Sequence, residues 1–207
     1  MSKNITLYYV ADPMCSWCWG FQSNLMQVKE ALPSELPLVY VMGGLARDSD
    51  EPMPEDVKAY VKNAWRQVTA ETGASFNWDF WEVCEPRRST YPSCRAFYAA
   101  KVQGEELGVL MFEAIQRAYY QKAQNPSDLD TLIAVAGEIG LDVDRFALDI
   151  KSEAIEKMMQ EGFQLRRALN ANEFPSLVLQ NGETIHFLVR GYDAVDVVLG
   201  RLKTALA

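Results

Sequence analysis

Histidine is almost absent from this 207-residue chain: His186 is its single copy, and cysteine occurs only four times. A structural zinc site wants four Cys or His ligands, usually in closely spaced pairs. After Cys15 and Cys18 the chain offers only Cys84, Cys94 and His186. None of these forms a compact second pair, so no metal site is expected. Positive charge is also in deficit, with 20 Lys and Arg against 28 Asp and Glu and a net charge of −8. That balance speaks against nucleic acid or an anionic membrane as a general partner. No apolar run approaches the length of a membrane span. Met1-Ser2-Lys3-Asn4 lacks the basic and cleavable apolar segments of an export signal, so a cytoplasmic location is expected. Accessible thiols there are kept mostly reduced. Hydrophobic content of 49% is ordinary for a water-soluble globular protein with a substantial core.

What is present is a pair of cysteines, Cys15-Ser16-Trp17-Cys18, directly after the strand-like run Ile5-Thr6-Leu7-Tyr8-Tyr9-Val10. A helical pattern follows from about Trp19. On a first helical turn, residues three apart share one side, within the Cα separation that a disulfide tolerates. The unpaired N–H groups and positive dipole end of a helix start favour a thiolate on the first cysteine, and the thiolate is the nucleophile of disulfide exchange. A purely structural disulfide is disfavoured, because closing so short a loop removes little unfolded-chain entropy. Position then suggests roles. Cys15 should be the exposed nucleophile, and Cys18, one turn in, the buried resolving thiol.

Along the rest of the chain, Phe21, Leu25, Val28 and Leu32 fall on one helical face that stops at Pro33. Leu38 to Met42 reads as a buried strand, broken by Gly43-Gly44. From Pro54 to Ile150 only helical periodicity is seen, with one stripe from Val57 to Val68 and another from Leu107 to Ala118. Ser127 is a candidate N-cap for a helix over Leu129 to Ala136, with Gly140 past its end. A further helix carries Ile155, Met158, Met159, Phe163, Arg166 and Leu169 and is expected to end near Asn170 to Asn172. Leu177-Val178-Leu179 and Ile185 to Val189 flank Asn181-Gly182, a strong hairpin signal, and a helix from about Ala194 to Leu206 closes the chain.

The uninterrupted stretch Asp12-Pro13-Met14-Cys15-Ser16-Trp17-Cys18-Trp19-Gly20-Phe21, together with Phe174-Pro175-Ser176 before the last hairpin, resembles the DsbA-like branch of the thioredoxin superfamily. It particularly resembles the group known as predicted protein-disulfide isomerases. The resemblance implies an α/β thioredoxin fold interrupted by an all-helical insertion: residues 1–50 and 152–207 as the thioredoxin-like domain, 51–151 as the insertion. It also implies a cis Pro175 opposite the dithiol, leaving the Phe174 backbone free to pair with an extended substrate segment. The same branch includes kappa-class glutathione transferases and 2-hydroxychromene-2-carboxylate isomerases, which usually carry Ser where this chain has Cys15.

The favoured reading is therefore a thiol–disulfide oxidoreductase or protein-disulfide isomerase acting on protein or peptide thiols and disulfides. It needs no bound cofactor, with glutathione as a candidate co-substrate. The alternatives are a glutathione-dependent transferase or isomerase using the same cleft, and a non-catalytic peptide-binding module. Ser16 and Trp17 bring neither histidine nor positive charge between the cysteines, which argues against a strongly oxidising pair. Trp17, Trp19 and Phe21 could rim the site, although core packing is the favoured role for the last two. Asp12 is read either as a proton relay for Cys18 or as a turn opener. Cys94 falls near a helix start opened by Ser89 or Thr90 and Pro92, among Arg87, Arg88 and Arg95, a setting that lowers a thiol's pKa. With Cys84 it is either a second redox pair or one of two small buried apolar residues; the expectation is that Cys94 lies near the cleft and Cys84 is incidental.

Overall fold

The computed structural model describes residues 5–206, so Met1–Asn4, on which the export-signal reading rests, lie outside the described residues. Strand β1 (Ile5–Ala11) alternates its side chains between two clusters. Leu7, Tyr9 and Ala11 enter the larger core on one face, while Tyr8 and Val10 meet Val39, Val41 and Val178 on the other. This two-sided burial is why the run is apolar nearly throughout rather than alternating with polar residues. β2 (Leu38–Met42) lies parallel to β1, from Leu7 opposite Leu38 to Ala11 opposite Met42. A parallel partner needs a crossover, and the helices α1 (Ser16–Gly20) and α2 (Gln22–Ala31) provide it.

Helix formation starts at Ser16, three residues earlier than the apolar pattern suggests. Cys15 is the extended N-cap (φ −84°, ψ 116°), and its carbonyl accepts from the Trp19 N–H at 3.1 Å. The residues between the cysteines carry no helical stripe, so periodicity passes over this turn. Phe21 separates α1 from α2, with its side chain fully buried.

Six helices follow between β2 and the last helix before the hairpin. They are α3 (Glu55–Thr72), α4 (Phe80–Val83), α5 (Tyr91–Lys101), α6 (Glu105–Lys122), α7 (Leu129–Glu138) and α8 (Val143–Asp149). They bury two sets of side chains. Phe97 of α5 and Phe112 and Ile115 of α6 join the sheet core, with Phe112 edge-on to Tyr9 and Tyr40 at centroid distances of 6.1 and 5.6 Å. The second set is an aromatic cluster around Trp65, which Trp19 of α1 enters by stacking on Tyr120 at 5.5 Å. Ser127 does not cap α7. That position belongs to Asp128, while the Ser127 hydroxyl donates to the Ser89 carbonyl at 2.7 Å.

Helix α9 (Glu153–Ala168), capped by the Ser152 hydroxyl, leads to β3 (Ser176–Asn181) and β4 (Thr184–Arg190). β3 is antiparallel to both β1 and β4, which gives the sheet order β2-β1-β3-β4. The hairpin turn is one residue later than the Asn181-Gly182 signal suggests. Asn181 pairs with Thr184, so the two loop residues are Gly182 and Glu183. Gly182 alone takes a positive φ, +61°, which is the glycine-first requirement of a type II′ turn. α10 (Val195–Leu206) then packs Val198 and Leu202 into the core. The architecture is the four-stranded thioredoxin sheet with a helical stretch between its second and third strands. Among the described residues no helix is long and apolar enough to cross a membrane.

Candidate active site

The dithiol sits where β1 ends. The Cys15 N–H donates to the Asp12 carbonyl at 3.0 Å, closing the turn between β1 and α1. Cys18 follows one helical turn on. All four cysteines are free thiols.

Cys15 is less exposed than its position suggests, at 7%. It lies within a cleft of about 750 Å³ rather than on an open surface. One side of that cleft is α3, with Tyr60, Ala64 and Gln67. The other is formed by Glu173, Phe174 and Tyr192. Trp17 lines the cleft too, its ring 5.6 Å from that of Tyr192, and Ser16 is buried at the cleft floor. Trp19 and Phe21 are buried, Trp19 in the aromatic cluster and Phe21 in the sheet core.

Cys18 is fully buried. Burial pushes its thiol well above the ordinary range, and the neighbouring Cys15 sulfur pushes it further; the backbone N–H of Asp12 pulls the other way.

The Phe174–Pro175 peptide bond is cis. The Phe174 carbonyl oxygen is 3.7 Å from Cys15 Sγ, and its N–H has no acceptor among the described residues. The Pro175 carbonyl accepts from the Gly191 N–H at 2.9 Å. The Phe174 ring packs against Gly43, where a Cβ would come within 2.6 Å of it. Gly43 therefore sets how closely this segment approaches β2.

Asp12 is fully buried. Oδ1 accepts from the Met14 N–H at 2.9 Å, the contact of a turn opener. Oδ2 accepts from the Leu45 N–H at 2.7 Å and the Thr90 hydroxyl at 2.8 Å, and lies 3.7 Å from Cys94 Sγ. Despite these bonds, burial outweighs them and raises the carboxyl above its usual range. The consequence for stability has a definite sign. A group whose folded pKa is raised contributes stability below its unfolded value, and that contribution is lost as pH rises through the folded value. Wild-type stability should therefore fall relative to Asp12→Asn as pH climbs above the ordinary carboxylate range near about 4. Denaturant unfolding of both proteins across that range checks this, and parallel stability curves would contradict it.

The electropositive setting expected for Cys94 is not formed. Cys94 is wholly buried, and burial together with the Asp12 charge raises its thiol. Two of the three arginines near it in sequence are paired with carboxylates, and Arg95 only partly offsets the rise. Arg95 pairs with Asp48 and Glu156, and Arg87 with Asp128. Cys84 Sγ is 3.1 Å from the Ala123 carbonyl, in the aromatic cluster, so the two sulfurs have separate surroundings. Leu45 and Tyr192 escaped the sequence reading, and Thr90 and Arg88 were read only as neighbours of Cys94, not as residues of this site. Thr90 reaches Asp12 across 78 positions, a contact for which no local pattern exists.

Comparison with known proteins fits this geometry. The chain is 27% identical to the structure of a candidate protein disulfide isomerase from Nitrosomonas europaea, with a TM-score of 0.85 and coverage of 98% of this chain and 97% of that one. It shares the fold of the cytosolic disulfide reductase DsbM from Pseudomonas aeruginosa, at 24% identity, a TM-score of 0.78 and coverage of 97% and 98%. A related structure of DsbM contains glutathione. Among curated proteins, ClpXP adapter proteins SpxH match: 25% identical in Halalkalibacterium halodurans and 23% in Bacillus subtilis, each over 86% of this chain. This chain spans about 60% of the length of those relatives. The family model for thioredoxin matches residues 8–199, from within β1 to within α10, and so takes in both the dithiol and Phe174–Pro175. The chain belongs to the thioredoxin family, in the DsbA-like form of its fold.

Proposed function

We propose that the protein is a thiol–disulfide oxidoreductase of protein or peptide substrates, with Cys15 as nucleophile and Cys18 as resolving thiol. The observation that carries this reading is the asymmetry of the dithiol. Only Cys15 lines the substrate-sized cleft and faces the Phe174 backbone, while Cys18 is sealed behind it. In the first step the Cys15 sulfur attacks a substrate disulfide. A Cys15–substrate disulfide forms and the first substrate thiolate leaves, taking up a proton. Cys18 then loses its proton and attacks Cys15, releasing the second substrate thiol. The substrate gains two electrons and the protein becomes the Cys15–Cys18 disulfide. A low-molecular-weight thiol such as glutathione returns the pair to the dithiol, a role supported by the glutathione found with a DsbM neighbour. A cytoplasmic poise makes reduction or isomerisation the working direction. Trp17 and Tyr192 supply apolar contact for the substrate, and the Phe174 N–H and carbonyl pair with its backbone.

A second reading, a protein-binding adapter without turnover, is favoured by the SpxH relatives. The glutathione-transferase reading has weaker support, since the branch members with that chemistry usually lack the first cysteine. Insulin reduction separates the three. Turnover of insulin disulfides with glutathione or dithiothreitol is the expected result. Glutathione transfer to an electrophile without insulin reduction would replace this proposal with the transferase. Unfolded-protein binding with neither activity would replace it with the adapter.

A further inference from the structure

Behind the dithiol, on the side away from the cleft, lies a second and much smaller cavity. Its volume is about 10 Å³, about one water-sized probe sphere. Cys18 lines it from α1, and Gln116 from α6. Gln116 is fully buried, yet neither its Nε2 nor its Oε1 has a hydrogen-bond partner in the protein. Leaving both ends of a buried amide unpaired is costly, and native proteins commonly satisfy such groups with an ordered water. The cavity's other polar lining leads outward. Tyr9 and Tyr40 border it from the sheet and Gln22 from α2, and Lys29 and Glu113, 3.8 Å apart and about one-third exposed, border it toward the surface.

We propose that this cavity holds an ordered water, positioned by Gln116, which carries the proton of Cys18 from its buried sulfur to solvent beside Lys29 and Glu113. The inference rests on the exchange reading above and adds a part to its second step. Resolution requires Cys18 to give up a proton, and burial holds that thiol well above its ordinary range. Asp12 offers Cys18 a backbone N–H, while its carboxylate oxygens are engaged by Met14, Leu45 and Thr90 and approached by Cys94. Around Cys18 the other titratable groups are Cys15, Tyr9, whose hydroxyl hydrogen-bonds Cys18, and Tyr120; burial holds both phenols in the neutral form, so neither is a base that removes the proton. The water takes the Cys18 proton as the Cys18 sulfur attacks Cys15. The Cys15–substrate bond breaks, the Cys15–Cys18 bond forms, and the departing substrate thiolate is protonated from solvent. Gln116 is thus a positioning residue, since it touches the water rather than the reacting sulfurs.

A chromogenic aromatic disulfide, dithiobis-nitrobenzoate, tests this in one trace. The first equivalent of coloured thiolate reports attack by Cys15 and the second reports resolution by Cys18. The reaction is run in a Cys84→Ser background, which removes the half-buried third thiol. In Gln116→Leu, and in Gln116→Met as a variant that better keeps the side-chain volume, the first release should match the parent. The second should slow roughly tenfold or more at neutral pH, less than the roughly 100-fold or more of a side chain that itself moves the proton, since Gln116 acts through the water, and recover as pH rises. A second release unchanged in rate and pH profile overturns the proposal, and a gain in stability alongside it would mark Gln116 as a merely unsatisfied amide. Equal slowing of both releases also overturns it, since that signals distortion of α1. If the parent shows no first release, the exchange reading itself fails and takes this inference with it.

Discussion

Cys15→Ser is expected to bring disulfide exchange down to the uncatalysed rate, whereas Cys18→Ser should still attack substrates and then stall as mixed disulfides. The difference follows from the geometry. Cys15 lines the cleft beside the Phe174 carbonyl, and Cys18, fully buried, reaches only what is already bonded to Cys15. Removing Cys15 removes the one sulfur of the pair that lines the cleft. Removing Cys18 leaves the first step but takes away the intramolecular attack that ends it. Insulin reduction assays and non-reducing gels of both variants check this. A Cys15→Ser protein that retains turnover would contradict it.

The largest stability effect should come from Trp65→Ala. Trp65 is fully buried, with the rings of Phe76, Trp78, Phe80, Trp81, Tyr119 and Tyr120 between 4.8 and 6.0 Å from its own. Truncating a buried Trp to Ala typically costs about 3–5 kcal/mol, a large share of the roughly 5–15 kcal/mol that holds a domain folded. For a chain of this length the melting temperature should drop by roughly 10 °C or more. Trp65→Phe should cost less, because the Trp65 Nε1 has no partner in the protein and its loss breaks no hydrogen bond. Turnover of the Ala variant should fall as well, since Tyr120 connects this cluster to Trp19 of α1. Thermal unfolding followed by tryptophan fluorescence provides the check. A destabilisation below about 1 kcal/mol, the mean for an arbitrary substitution, would show that the cluster contributes little.

What could be read from the sequence was the part encoded by local pattern. The apolar runs of β1 and β2, the helical stripes between Pro54 and Ile150, and the final hairpin all come from periodicities spanning a few residues. The dithiol and Phe174–Pro175 were legible because each is a short fixed string. Detail was lost where tertiary contacts decide it. Cys15 was expected to be exposed, but α3, more than forty positions along, walls the cleft around it. The arginines near Cys94 looked like an electropositive nest because they are neighbours in sequence. In the fold, Asp48, Glu156 and Asp128 draw two of them away, and the charge nearest to Cys94 is that of Asp12. Gln116 gave no signal, since an amide within an amphipathic stripe reads as a surface residue until the neighbouring elements cover it. The Asn181-Gly182 signal found the hairpin and missed its turn by one residue, because pairing of Asn181 with Thr184 fixes the register.

The central claim is that Cys15 is the attacking sulfur and Cys18 the one held in reserve. Residue-resolved alkylation of the reduced native protein at neutral pH tests it most directly, with peptide mass spectrometry reading the label at each cysteine over time. The account predicts that Cys15 is modified first and that Cys18 stays protected until the protein is unfolded. Modification of Cys18 ahead of Cys15 would contradict it.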